Sequence, residues 1–130
     1  MCDYKNLFSG LQHIGIPTED INATISFYTG LGFSLAWKTP EDSAAPVAFL
    51  QRCDLVIETY AQKHCPVGNG SLDHFALQCS DAEALFKAFK DEDYAMLDSS
   101  VSFLPFYERG VKFFRIKGPN GETIEFNQIL

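Results

Sequence analysis

The chain has 130 residues, 46% of them apolar, and a formal charge of −7 from 17 acidic against 10 basic side chains. That length holds one domain with a real hydrophobic core and is too short for two ordinary independent domains. The acidic balance excludes a nucleic-acid or anionic-membrane surface, which needs clustered Lys and Arg, and no apolar stretch approaches the length of a membrane span.

The first ten residues, MCDYKNLFSG, lack a basic stretch followed by an apolar one, so no signal peptide is expected. Cys2, Cys53, Cys65 and Cys79 are irregularly spaced with no C-x-x-C, and read as free thiols of a reducing cytoplasm. Alternation predicts a strand over 10–17, followed by a helix over 20–31 capped by Thr18 or Asp20, whose side-chain oxygens can accept from free N–H groups. Ile21, Ile25 and Tyr28 fall on one face of that helix, and Gly30 and Gly32 end it. Strands follow at 32–38, 46–51 and 53–60, with TPEDSAAP as a loop.

HCPVGNG, residues 64–70, reads as a linker, and the same order then recurs. A strand is predicted over 71–79 and a helix over 81–92, capped by Ser80 or Asp81, with Leu85, Phe86 and Phe89 on its apolar side. Strands follow at 94–101, 111–117 and 121–128, the last two joined by the turn GPNG. Shifting the sequence by 61 positions lays His13 on His74, Asp20 on Asp81, Ala23 on Ala84 and Leu35 on Met96. At the ends of the two halves the shift is 67, laying Ile57 on Ile124 and Glu58 on Glu125. The difference places an insertion near 98–110 in the second half, a natural lid. The expected fold is therefore α+β, a single domain over 1–130 built from two βαβββ repeats, about 8–62 and 69–130.

Side chains alternate faces along a strand. Ile14 and Ile16, Phe75 and Leu77, Leu55 and Ile57, and Ile124 and Phe126 take the face under a helix, which leaves His13, His74, Glu58 and Glu125 on the opposite face. Imidazole nitrogen and carboxylate oxygen are standard ligands for zinc, nickel, cobalt, iron and manganese. Any one of these residues alone is more often a surface side chain; matching positions in both repeats and matching faces in four strands point to a metal site. His64 has no counterpart in the repeat and reads as surface. FLPFYERGVKFF reads as core and pocket wall, and GPNG as a turn rather than a phosphate loop, since no helix follows it.

L-Q-H-I-G-I-P-T-E-D-I-x₄-S-F-Y, V-I-E-T-Y, D-H-F-A-L-Q and K-G-P-N-G-E-T-I-E-F together resemble the vicinal oxygen chelate superfamily of glyoxalase and bleomycin-resistance proteins. The resemblance spans nearly the whole chain and is greatest to short bacterial glyoxalase I. It implies two βαβββ modules forming a mixed-sheet cleft around one divalent metal ion, nickel, cobalt or zinc, held by His13, Glu58, His74 and Glu125. It implies a lyase or isomerase of the lactoylglutathione lyase type, in which Glu125 or Glu58 moves a carbon-bound proton through a metal-stabilised enediolate. The substrate would be a small molecule, such as the thiol adduct of a 2-oxoaldehyde, touched by Arg115, Tyr60 and Gln62. Arg109, Lys112 and Lys117 are further cations, of which the two lysines read as surface.

Two other readings share the resemblance: an epimerase or other enolate-forming enzyme on an acyl thioester or hydroxy/oxo acid, and a drug-binding resistance protein without catalysis. The full ligand set weighs against the latter. Pro17 stands where the glyoxalase I proteins carry an Arg that anchors glutathione, and Thr-Tyr-Ala-Gln follows Glu58 where they carry a glutathione-binding Asn. The superfamily pairs its modules within a chain or across a dimer, and a homodimer with two-fold symmetry is expected.

Overall fold

The computed structural model describes every residue except 1–3, 8, 66, 67, 69 and 71. Cys2, Pro66, Val67 and Asn69 of the linker, Ser71 and the first residue of the first repeat therefore lie outside the described residues. The chain divides into two units, Met1–Cys65 and Pro66–Leu130. The first holds a short 3-10 turn (Tyr4–Asn6), then β1 (Ile14–Thr18), α1 (Ile21–Gly30), β2 (Ser34–Lys38), β3 (Val47–Arg52) and β4 (Leu55–Ala61). The second holds β5 (Phe75–Gln78), α2 (Ala82–Asp91), β6 (Ser102–Leu104), β7 (Val111–Lys117) and β8 (Thr123–Ile129). Each unit is one four-stranded mixed sheet, ordered β1-β4-β3-β2 or β5-β8-β7-β6. β1–β4 and β5–β8 are parallel and the other pairs antiparallel. This is the expected α+β fold of βαβββ units. No helix among the described residues is long and apolar enough to cross a membrane.

The helices begin and end as local chemistry dictates. Asp20 and Asp81 are the N-caps, accepting from the backbone N–H of Ala23 and Ala84 at 3.1 and 3.0 Å. Of the alternatives, Thr18 instead accepts from the Asp20 N–H, which fixes the entry to α1. The Thr24 hydroxyl donates to the Thr18 hydroxyl at 3.0 Å, so two fully buried threonines satisfy each other's neighbourhood. The deepest residues of α1 are accordingly Thr24 and Tyr28, with Ile21 and Ile25 only half-buried. At the far end, Gly32 takes a φ of 95° and the Phe33 N–H returns to the Tyr28 carbonyl at 3.0 Å, a left-handed cap that favours glycine. α2 ends the same way, with Asp93 at φ 61° and the Tyr94 N–H on the Phe89 carbonyl.

Packing follows strand parity. In the first unit Ile16, Ala48, Leu50 and Ile57 are buried together with Tyr28 and Phe33. In the second, Phe114 and Phe126 stack at 5.4 Å between ring centroids, and Phe86 and Phe89 of α2 meet them edge-on. Such aromatic pairs are worth about 0.5–1.5 kcal/mol each beyond the area they bury. Cys53, Cys65 and Cys79 are free thiols.

Three expectations need correction. First, β1 and β5 start at Ile14 and Phe75, so His13 and His74 stand immediately before their strands rather than inside them. Second, residues 94–101 form no continuous strand. Met96 makes a single antiparallel bridge to Ile116. The Asp98 carboxylate then accepts from the Arg115 backbone N–H at 2.8 Å, taking the place an edge-strand carbonyl would fill, and the ladder stops. Third, the segment 98–110, expected as a lid, carries the missing pairing. As β6 the chain rejoins β7, Phe103 opposite Lys112.

Two consequences can be measured. Gly32→Ala should lower stability by about 1–2 kcal/mol, the cost of a side chain in the left-handed region, read as a lower midpoint in urea with an unchanged slope. Arg115 donates to Asp98 through Nε and Nη2 as well as its backbone N–H, and these bonds, the side-chain ones foremost, hold the Asp98 carboxyl below the usual carboxylate range against the opposing effect of burial. A carboxyl depressed in the folded state contributes stability above its unfolded pKa and loses it as pH falls through the folded value. The stability gap between wild type and Asp98→Asn should therefore be open at neutral pH and close on acidification.

Candidate metal centre

In a parallel pair, one residue of each strand lies opposite one of the other. β1 and β4 are set so that Ile14 faces Ile57 and Gly15 faces Glu58. β5 and β8 are set so that Phe75 faces Ile124 and Ala76 faces Glu125. The apolar residue of each pair belongs to the helix side: Ile57 and Ile124 are fully buried. The Glu then lies on the other face, opposite a residue with little or no side chain. That gap is what the histidine two residues earlier reaches across. His13 Nε2 lies 3.2 Å from Glu58 Oε2, and His74 Nε2 lies 3.0 Å from Glu125 Oε2.

Each unit thus brings together its two expected ligand residues. The second imidazole nitrogen of each is also engaged: His13 Nδ1 is 3.0 Å from Gln12 Oε1 and His74 Nδ1 is 2.9 Å from Asp73 Oδ2. An amide oxygen and a carboxylate only accept, so both Nδ1 atoms carry the proton. That tautomer aims the Nε2 lone pair at a carboxylate oxygen. Two lone pairs at hydrogen-bond distance repel unless a proton or a metal cation lies between them. The donor set, imidazole nitrogen plus carboxylate oxygen with the outer nitrogen tied back, therefore fits a divalent metal. Within each unit, among the described residues, no third His, Cys, Asp or Glu joins the pair as a ligand.

The two carboxylates are held unequally. The Glu125 side chain is 11% exposed, and the Asn127 side-chain amide donates to its other oxygen at 3.3 Å. The Glu58 side chain is 26% exposed.

The remaining expected residues separate by unit. Tyr60 is on the Glu58 face of β4, with a ring carbon 3.6 Å from where a Cβ on Gly15 would stand. Gln62 follows β4; its backbone N–H binds the Thr18 carbonyl and its side chain is exposed. Arg115 pairs across the ladder with Glu125. Its guanidinium makes a two-pronged contact with Asp98, Nη2 to Oδ1 at 2.6 Å and Nε to Oδ2 at 3.1 Å, and is drawn further toward the charged form by Asp98 first, then by Asp73 and Glu125. Lys112 lies on the helix side and reaches Glu83 of α2 at 3.9 Å, and Lys117, His64 and Arg109 are exposed.

Sequence reasoning missed several neighbours. Phe49 lies opposite Glu58 on β3, its ring edge-on to His13 at 6.0 Å and to Trp37 at 6.1 Å. Asn127, Asp98, Gln12 and Asp73 complete the second layer. Extending strand parity one strand further, from β4 to β3 and from β8 to β7, would have found Phe49 and placed Arg115 on the same face as Glu125.

Two βαβββ units, each presenting a His–Glu pair on the sheet face away from its helix, define a protein of the vicinal oxygen chelate class. The sequence profile of the Glyoxalase/Bleomycin resistance protein/Dioxygenase superfamily matches residues 10–126, and the chain belongs to that superfamily. The "Uncharacterized protein YwbC" of Bacillus subtilis (strain 168) is 32% identical over 126 residues, spanning 91% of this chain and 96% of its own. Among solved structures, a glyoxalase family protein from Enterococcus faecalis superposes with a TM-score of 0.74 at 17% identity, covering 93% of this chain and 98% of its own. The fosfomycin resistance protein FosX from Listeria monocytogenes, complexed with Mn(II) and sulfate, gives 0.72 at 15%, covering 95% and 94%. At such identities the likeness to the solved structures is one of fold.

The small residue opposite each Glu provides a direct check. Ala76→Leu should place a branched side chain where the imidazole crosses to Glu125, weakening Zn(II) binding by at least about tenfold while leaving the thermal unfolding midpoint close to that of wild type. Unchanged titration calorimetry would show that the gap is not needed.

Proposed function

We propose that the chain is a metal-dependent enzyme of the glyoxalase I type, in which His13, Glu58, His74 and Glu125 supply the ligands of one divalent metal ion. The observation that carries this reading is the paired geometry: a His Nε2 within 3.2 Å of a Glu oxygen in the first unit and 3.0 Å in the second, at equivalent places. When bound, the metal supplies positive charge beside the substrate oxygens and so stabilises negative charge that develops there. Nickel, cobalt and zinc suit this mixed nitrogen and oxygen set.

The reaction is proton transfer between neighbouring carbons. Glu125 serves as the base, its carboxylate oriented by Asn127 and shielded from bulk water, and Glu58 is its counterpart. Arg115, clamped by Asp98 through Nε and Nη2, offers its remaining nitrogen, Nη1, to an anionic group of the substrate. Phe49, Trp37 and Tyr60 give the first unit an apolar wall for the substrate's carbon skeleton.

A second reading, isomerisation or epimerisation of an acyl thioester or hydroxy/oxo acid, is favoured by one observation. Pro17, opposite Tyr60 in the β1–β4 pair, offers no charge where glyoxalase I anchors glutathione. The protein is expected to act as a homodimer on a small molecule in the cytoplasm.

Protein reconstituted with Ni(II), Co(II) or Zn(II) should bind metal stoichiometrically, lose it in His74→Ala, and form thioester from methylglyoxal and glutathione. Metal binding without thioester would transfer the assignment to the second reading, checked by solvent deuterium entering the α-carbon of an acyl thioester; no metal binding by wild type would end both. Glu125→Gln should lower kcat by about 10²–10⁴-fold, more than Glu58→Gln does, and the reverse order would exchange their roles.

A further inference from the structure

The repeat that lays His13 on His74 also lays Gln12 on Asp73. These two residues do the same job in the two units: each accepts the Nδ1 proton of the histidine that follows it, at 3.0 and 2.9 Å. They differ in charge. Gln12 offers a neutral amide oxygen; Asp73 offers a carboxylate. The adjacent carboxylates differ in the same sense, since Glu125 is buried and hydrogen-bonded by Asn127 while Glu58 is more exposed.

We infer that Gln12 and Asp73 are positioning residues that make the two His–Glu pairs unequal as metal ligands, His74 with Glu125 being the tighter pair and His13 with Glu58 the looser. This rests on the metal-site reading above. The physical reason is twofold. An acceptor on Nδ1 fixes the tautomer and the ring plane, so Nε2 presents its lone pair without first paying rotational entropy. A charged acceptor also pushes electron density through the ring, making Nε2 the stronger donor. Asp73 does both and Gln12 only the first.

The test is Zn(II) affinity by chelator competition, with Co(II) visible absorption as a spectroscopic readout of ligand geometry, on wild type, Asp73→Ala, Asp73→Asn, Gln12→Ala and Gln12→Glu. Asp73→Ala should weaken Zn(II) binding by about 10–100-fold and alter the Co(II) spectrum. Asp73→Asn, which keeps an acceptor but not the charge, should recover part of that loss. Gln12→Ala should lose less than Asp73→Ala, and Gln12→Glu should tighten binding. Wild-type affinity in Asp73→Ala, or equal losses in Asp73→Ala and Gln12→Ala, would overturn the inference while leaving the metal site standing. Wild type that binds no Zn(II) would instead bring down the metal-site reading and this inference with it. Thermal unfolding of each variant guards against a folding defect, and Asp73→Asn, the more conservative change, decides the matter if Asp73→Ala does not fold.

Discussion

Two parallel strand pairs, β1 with β4 and β5 with β8, constrain everything else in this molecule. A parallel pair cannot be made by a tight turn; its strands must be connected by a crossover, here the helix and the two strands that follow it. That crossover lays the helix on one face of its own sheet, and the buried Ile57 and Ile124 mark that face. Side-chain alternation then leaves the other face to the neighbouring residues. A one-residue slip in either pairing would bury Glu58 or Glu125 beneath a helix and expose an isoleucine. Core burial and the placement of the ionisable residues are one decision, taken twice.

The same register explains why a histidine belongs before each strand. Diagonal reach across a parallel pair needs a long side chain just ahead of one strand and a gap two residues further along that same strand. Gly15 and Ala76 are the gaps, lying opposite Glu58 and Glu125. Standing one residue ahead of the ladder, His13 and His74 keep ring nitrogens outside the backbone hydrogen-bonding array and can be tied back by the preceding side chain. A histidine inside the ladder, at the place of Gly15 or Ala76, would point at the Glu but crowd it.

Much of this was legible from sequence because both signals are periodic. The strand period of two, the Asp caps of both helices and the repeat shift placed the elements, and strand parity selected His13, Glu58, His74 and Glu125. The edge strand of the second unit was not legible, for a reason of a different kind. YAMLDSSV reads as a strand by composition, and Met96 does pair with Ile116 where Leu35 pairs with Leu50 in the first unit. The ladder ends because one side chain, Asp98, competes for the Arg115 N–H, and no pattern of apolar residues records such a competition. The same interaction fixes the Arg115 guanidinium, an orientation that no sequence pattern records.

The two units share a register and differ in what surrounds it. Opposite Glu58 on the antiparallel side is Phe49; opposite Glu125 is Arg115. The first unit therefore adds an aromatic wall of Phe49, Trp37 and Tyr60 to its His–Glu pair, and the second adds a cation, an amide and a carboxylate. The two His–Glu pairs are therefore set in different surroundings, aromatic in the first unit and polar and charged in the second, although one register makes both.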